Sequence, residues 1–382
     1  MKYLDYIVAH LWRHKRRTFL TVSSIAVALF LFCTLRTVIT SFDAALRASA
    51  DTRLVVRHAA SLVFPIPLSY RDRLLQIEGV TGVSYGNWFG GIYQDPKNQF
   101  SQFAVDVPTF LGLFPEIDIP ADQASAWKAE RTSCIVGAKL AAKYGWKLGD
   151  TVPIKGTIYP GDYRFTVRGI YKGKTADVDE NGLFFHWDYL NESMPAVRKD
   201  WVGIYWVEIP NGDMAAAVSA RIDDLYANSS QPTKTETEKA FQASFISMMG
   251  NVSLLMAILG SAILFAILLV TINTMMMAAR ERTTEIAVLK TLGYSDGLVL
   301  RLVGTEAILV SLVGGVIGCG AAWAIFQRVD FTAGGFFPNF NVLPGTVGFG
   351  LLLALAMGLV SGLVPALQAG RLRIATALRK VA

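Results

Sequence analysis

The sequence predicts a membrane α-helical protein of four transmembrane helices, with a large α+β extracytoplasmic domain inserted between helices 1 and 2. Three observations carry this. Charged residues make up only 17% of the 382, against about a quarter in soluble domains, and mean hydropathy is +0.38. The apolar residues are gathered into four blocks, each long enough for the roughly 20 helical residues that cross a hydrocarbon layer. The basic residues are distributed unevenly around those blocks. Arg13, Lys15, Arg16 and Arg17 precede the first, Arg280, Arg282 and Lys290 follow the second, and Arg371, Arg373, Arg379 and Lys380 follow the fourth, while the loop around Arg328 and Asp330 has one. Basic loops stay on the cytoplasmic side. Both termini and residues 280–297 are therefore expected inside, and the domain outside. The pI near 9.1 then reflects rims facing anionic lipid rather than a nucleic-acid surface.

Residues 1–17 read as a cytoplasmic interfacial helix, because Tyr3, Leu4, Ile7, Val8, Leu11 and Trp12 recur at helical spacing before a basic end. Helix 1 covers 18–41. Ala48-Ser49-Ala50 resembles a leader cleavage site, but the apolar run is longer than a leader's and lies too far from it, so an uncleaved anchor is expected. The domain covers 42–239, with β-branched and aromatic runs such as "TRLVVRH", "YRFTVRGIYKG" and "WVGIYWVEI" as strands and "DMAAAVSARIDDLYAN" as an amphipathic helix. It is expected to divide into two subdomains near 90–130. At its end, "PTKTETEKAFQASF" carries Thr235 and Glu238 at capping-box spacing. That predicts a helix running on into helix 2, and with "SFDAALRASAD" it gives the domain two helical stalks. Helix 2 covers 248–279, a charged insert 280–297, helix 3 298–327, a short outer loop 328–342, helix 4 343–369 and a cytoplasmic tail 370–382.

Sites of chemistry are scarce. The closest approach to a phosphate-binding GxxxxGK[ST] loop is "GIYKGKT", Gly169–Thr175, which is one residue short and reads as a turn after an edge strand. "DVDENGLFFHWD", Asp177–Asp188, imitates a calcium loop, but Asp188 stands where the longer Glu belongs and Phe185 fills the ninth position. A polar turn before a strand is the plainer reading. His10 and His14 lack a third ligand. Cys33 and Cys319 lie in membrane blocks and Cys134 is alone in the domain, so no disulfide within the domain is expected. No catalytic residue, metal or cofactor is expected on this chain.

The membrane blocks say more. Gly314, Gly315 and Gly318 in helix 3, and Gly358 and Gly362 in helix 4, permit close helix contact, either for packing within the chain or for motion. Asn273 is expected to bond across helices. Glu306 stands about a turn and a half inside helix 3. Two readings stay open for it: a functional intramembrane acid, or a residue paired with a basic side chain of the insert. In the insert, Ile286, Leu289 and Leu292 or Gly293 share a helical face, Glu281, Glu285 and Lys290 lie elsewhere, and Gly293 is placed to stop the helix. On pattern alone this is either a passive loop or a docking element for a cytoplasmic partner.

The stretch "ARERTTEIAVLKTLGYSDGLVLRLVGTEAILVSLVGGVIG" resembles the signature of MacB/FtsX-type ABC transporter permeases through Glu281, Arg282, Thr283, Glu285, Ile286, Lys290, Leu292 and Gly293, then Glu306, Gly314, Gly315 and Gly318. Asn273 fits as well. "VGAKLAAKYGWKLGDTVPIKG" is similar to that family's outer-domain turn through Gly137, Leu140, Ala141, Gly149 and Asp150. The family's C-terminal pattern is met by Pro365, Ala366, Ala369, Ala377, Leu378 and Arg379, but its second proline is missing. The resemblance implies a permease subunit of a bacterial cytoplasmic (inner) membrane, with no nucleotide site of its own. It would pair with a second permease copy, as homodimer or heterodimer, and with a separate cytoplasmic ABC ATPase that binds ATP and Mg. Glu281, Arg282, Glu285, Ile286, Leu289, Lys290 and Gly293 would form the ATPase-coupling helix. Motion would pass to the outer domains for efflux across the envelope, with a periplasmic adaptor and an outer-membrane duct. Lipoprotein extraction, or regulation of an extracellular hydrolase, are the alternatives it leaves.

Overall fold

The computed structural model describes residues 12–13, 15–98, 100–175, 178–248, 251–328 and 340–370. Its helices and strands follow in chain order: α1 (Lys15–Ala48), β1 (Arg53–His58), β2 (Ile66–Pro67), α2 (Tyr70–Leu74), β3 (Gly82–Trp88), β4 (Ser101–Val105), α3 (Val107–Leu113), β5 (Ile117–Asp118), α4 (Ala121–Ala129), β6 (Ser133–Gly137), α5 (Ala138–Tyr144), β7 (Thr151–Gly156), β8 (Gly161–Gly173), β9 (Gly182–His186), α6 (Trp187–Ser193), β10 (Trp201–Val202), β11 (Ile204–Glu208), α7 (Ala215–Tyr226), β12 (Thr233–Thr237), α8 (Glu238–Met248), α9 (Val252–Glu281), α10 (Thr283–Thr291), α11 (Asp296–Arg328) and α12 (Pro344–Gly370). Two compact units result. One takes residues 1–40, 251–330 and 340–382, the other 41–250 and 331–339.

In the first unit, four stretches are helical, apolar and long enough to cross a membrane: Lys15–Asp43, Leu254–Glu281, Asp296–Arg328 and Pro344–Gln368. Hydrocarbon offers no partner for a hydroxyl. Thr21, Thr34, Thr37, Thr271 and Thr274 solve this locally, each donating to the carbonyl four residues back. Asn251 caps α9 by accepting the Leu254 N–H at 3.0 Å, and Pro344 opens α12, where its missing N–H costs nothing. Ile25, Leu29 and Cys33 of α1, Ala307, Val310 and Cys319 of α11, and Ala354 of α12 form the buried core between the spans.

In the second unit, one sheet runs β12-β1-β11-β3-β4-β9-β6-β8-β5, with β7 also on β8. Side chains of a strand alternate between faces, and the cores follow that rule. Leu54 and Val56 enter one apolar cluster with Phe89, Phe165 and Phe185, while Val55 enters the other with Trp127, Tyr171 and Trp206.

Three expectations change here. β3 pairs with β4, so the sheet passes without a gap across the region where two subdomains were expected to part. Residues 161–173 form one long strand bonded to β5, β6 and β7, so "GIYKGKT" is mostly strand rather than a turn. Thr233–Thr237 is a strand on β1, and the helix begins only at Glu238. The sequence there alternates: Thr233 and Thr235 are buried and Lys234 is exposed, as a half-buried strand requires. Asp223 fixes the register, accepting the hydroxyls of both threonines and the Thr235 N–H. Glu238 is drawn away from a capping box. Its carboxylate accepts the Ala50 N–H and the Arg53 guanidinium.

Asp177 lies outside the described residues. Of its acidic neighbours, Asp179 accepts the Asn181 N–H and Glu180 the Gly173 N–H, backbone roles that suit a turn. Among the described residues no three His, Cys, Asp or Glu side chains are grouped as metal ligands. His10, His14 and the tail 371–382 also fall outside the described residues.

Candidate functional site

The candidate residues of the insert meet at the junction of α9, α10 and α11. α9 runs to Glu281, Arg282 (φ −94°, ψ 8°) leaves the helical path, and α10 restarts at Thr283. Its end is a Schellman motif. The Gly293 N–H bonds to the Lys290 carbonyl and the Tyr294 N–H to the Leu289 carbonyl, with Gly293 at φ +92°, a conformation that disfavours any side chain. Lys290 then reaches Asp296 at 2.8 Å, in the first turn of α11, where an acid also faces the positive helix end.

Arg282 of the insert is paired with Glu306. Its guanidinium donates in a fork to that carboxylate, 2.5 Å from Nη1 to Oε2 and 3.2 Å from Nη2 to Oε1, with side-chain exposures of 12% and 6%. A carboxylate this far inside an apolar helix needs such a partner. The fork bolts the start of α10 to α11. A small recess beside it is lined by Arg17, Thr18, Thr21, Thr274, Glu306 and Val310.

Two further ion pairs join the insert to the residues before the first span: Arg17 to Glu281 at 2.6 Å and Arg13 to Glu285 at 3.4 Å. Both are exposed enough that each contributes about 0–1 kcal/mol. Their value is geometric, since they place the two segments side by side. The faces of α10 differ from the expected ones. Ile286 and Ala287 are buried, with Val299, Val303 and Ala366 in the same cluster as Ile286. Leu289 is partly buried, but Leu292 is 70% exposed. Lying at the end of the helix, it faces outward with Val288, 46% exposed. Asn273 also departs from expectation, being exposed and bonded to no other helix among the described residues.

The glycines serve contacts within the chain. A Cβ on Gly318 would overlap the Ala26 carbonyl of α1, and one on Gly358 would come within 2.8 Å of the Ile308 Cα. Gly314 faces Ile25, Gly315 faces Ala354, and Gly362 faces Ala307. α11 thus grips α1 and α12 at backbone distance.

Sequence reasoning missed Arg13 and Arg17 as partners of the insert, reading them only as a topology signal. Their spacing of four, matching Glu281 and Glu285, was the available clue. It also missed the buried node of the inserted domain. Arg53, 4% exposed, bridges Glu116 at 2.6 Å and Glu238 at 2.8 Å, donates to the Leu113 carbonyl and stacks 3.9 Å from the Phe114 ring centroid. Burial pulls the Arg53 pKa down, but the two carboxylates outweigh it and hold it above its usual value.

The FtsX-like permease C-terminal family matches residues 238–374, and the MacB-like periplasmic core domain family matches 18–225, more than half of the chain. An uncharacterized ABC transporter permease, YvrN of Bacillus subtilis (strain 168), is 25% identical over 237 residues, covering 56% of this chain and 54% of that protein. The macrolide export ATP-binding/permease protein MacB of Sodalis glossinidius (strain morsitans) is 34% identical over 126 residues, 33% of this chain and 19% of that one. The chain thus spans about half the length of the first of these relatives and less of the second. The crystal structure of the periplasmic region of MacB from Actinobacillus actinomycetemcomitans aligns over 52% of this chain and 95% of that one, at 7% identity and a TM-score of 0.37. Four membrane-length helices, an inserted α+β domain between the first two, and matches to both families lead to one conclusion: the chain is a membrane protein with an extracytoplasmic domain and belongs to the MacB/FtsX type of ABC transporter permease.

Proposed function

We propose that this permease converts ATP hydrolysis on a cytoplasmic ABC ATPase partner into movement of its extracytoplasmic domain, working as a pair of permease copies, for export across the envelope with an adaptor protein. ATP and Mg belong to the partner. The chain is oriented with residues 280–297 and both termini in the cytoplasm of a bacterial cell, and the domain outside the cytoplasmic membrane. The observation that carries the reading is the bolted insert. α10 is a short helix held at one end by the buried Arg282–Glu306 fork and at the other by Lys290–Asp296, while its outward stripe, with Val288 at 46% and Leu292 at 70% exposure, is left for a partner. A helix so fixed passes a push to α11 instead of absorbing it.

In the extracytoplasmic domain, β1 enters and β12 leaves as neighbours in one sheet. Arg53 of β1 holds Glu238, the first residue of α8. Both connectors therefore end on one joint, and displacement of either is felt by the domain.

The test is co-purification in mild detergent. The native chain is expected to bring down a soluble ATP-binding protein, one copy per permease, or to lie beside an ATP-binding segment in its own polypeptide. Val288→Asp/Leu292→Asp, both exposed and tolerable to the fold, is expected to release a partner ATPase. Retention of the ATPase by that variant would remove α10 from the coupling surface. Absence of ATPase with the native chain would overturn the energy source.

A further inference from the structure

The site above lies at one edge of the membrane helices. At the other edge stands Arg36 of α1, the one basic residue that interrupts the first apolar block. Thr18 to Arg36 rises about 27 Å at 1.5 Å per residue, so Arg36 sits near the boundary of a roughly 30 Å hydrocarbon layer, opposite Arg17. Among the described residues no carboxylate lies within ion-pair distance of it, and its Nε is buried without a hydrogen-bond partner, although the residue as a whole is partly exposed. Its guanidinium lies 4.5 Å from the ring centroid of Phe349, and that ring stacks on Phe32 at 5.9 Å and 29°. The Phe349 ring, itself packed on Phe32, thus faces the cation.

A guanidinium with no carboxylate partner among the described residues is costly at this depth, and stacking on a ring compensates only part of that cost. The stacked face leaves the edge donors of the fork, which match a planar or tetrahedral oxyanion. Phe349 and Leu352, 41% and 63% exposed, lie one helical turn apart on α12 and continue from the guanidinium toward the membrane centre. An anionic head with an acyl chain below it meets both features. A small soluble anion meets only the first.

We propose that Arg36 and Phe349 form a binding site for the phosphate of an acylated amphiphile, filled by a phospholipid of the leaflet opposite Arg17. The site uses none of the residues assigned to coupling, so it stands or falls apart from the reading above. Native mass spectrometry of the purified full chain, loaded with phosphatidylglycerol in detergent, tests it. The wild-type chain is expected to keep one lipid, and Arg36→Gln to lower that occupancy about ten-fold, the weight of a charged hydrogen bond. Arg36→Lys keeps the charge without the fork and is expected to fall between them, which also serves if the Gln variant misfolds. Phe349→Leu should weaken binding through the lost ring. Glycerol 3-phosphate, which has the head and no chain, is expected not to displace the lipid. Equal retention by wild type, Arg36→Gln and Phe349→Leu overturns the site, and displacement by glycerol 3-phosphate overturns its assignment to lipid.

Discussion

Single residues separate the stability of this protein from its coupling. Glu306 is almost fully enclosed and its two oxygens both face Arg282. Glu306→Ala leaves an uncompensated cation in an apolar setting and is expected to cost about 3 kcal/mol or more, seen as earlier thermal unfolding in detergent. Arg282→Met/Glu306→Leu removes both charges and is expected to recover most of that stability while leaving α10 unbolted, so ATPase activity would no longer respond to the permease. If the double variant couples normally, the fork is structural only. In the extracytoplasmic domain, His186 donates from Nε2 to the Trp127 carbonyl at 2.7 Å. Burial lowers its pKa below the usual 6.5. The unfolded chain therefore takes up a proton below pH 6.5 that the folded domain refuses. This stability is complete above 6.5 and is lost as pH falls through the folded value. Urea unfolding between pH 7 and 5 should show a steeper loss for wild type than for His186→Gln.

At the scale of elements, packing of the spans rests on where α11 lacks side chains. Gly318 sits against the Ala26 carbonyl, whereas nothing lies within 4 Å of a Cβ on Gly320. Alanine in place of a helical glycine gains up to about 1 kcal/mol, so Gly320→Ala is expected to leave thermal stability unchanged or raised. Gly318→Ala should lower it, because α1 must move. Cys33 and Cys319, with sulfurs 3.6 Å apart, report the same contact. A mild oxidant should join them within one chain, visible as a faster band on a non-reducing gel, and Gly318→Ala should slow the reaction. These contacts show what the sequence could and could not tell. The glycines were visible, but whether they served packing or motion depended on which helix faced them. The Gly293 stop was fully legible because a Schellman end is a local event. The Arg282–Glu306 fork was left open because its partners stand on different helices whose phasing depends on where α9 breaks.

For the whole molecule, the four spans and the inserted α+β domain were legible from run length and strand-like composition, which need no tertiary context. The order of the strands was not, and β12 was misread because "TKTETEKAF" satisfies both a capping box and an alternating strand. Only pairing with β1 and the grip of Asp223 decide between them. That pairing has a consequence for the domain as a unit. Entry and exit strands lie side by side, and Arg53 ties Glu116 and Glu238 across them, so the fold closes on itself at the point where the membrane connectors leave. A fragment covering 50–238 is therefore expected to fold alone, with a cooperative urea transition. Arg53→Met should lower its stability by about 3–5 kcal/mol, because two carboxylates would be left in a site shaped for a cation. Glu116→Gln, at 25% side-chain exposure, should cost less than Glu238→Gln at 12%. A fragment that remains unfolded would show that closure depends on the membrane helices, and equal effects at Glu116 and Glu238 would show that the node does not bind the exit strand more tightly than the rest.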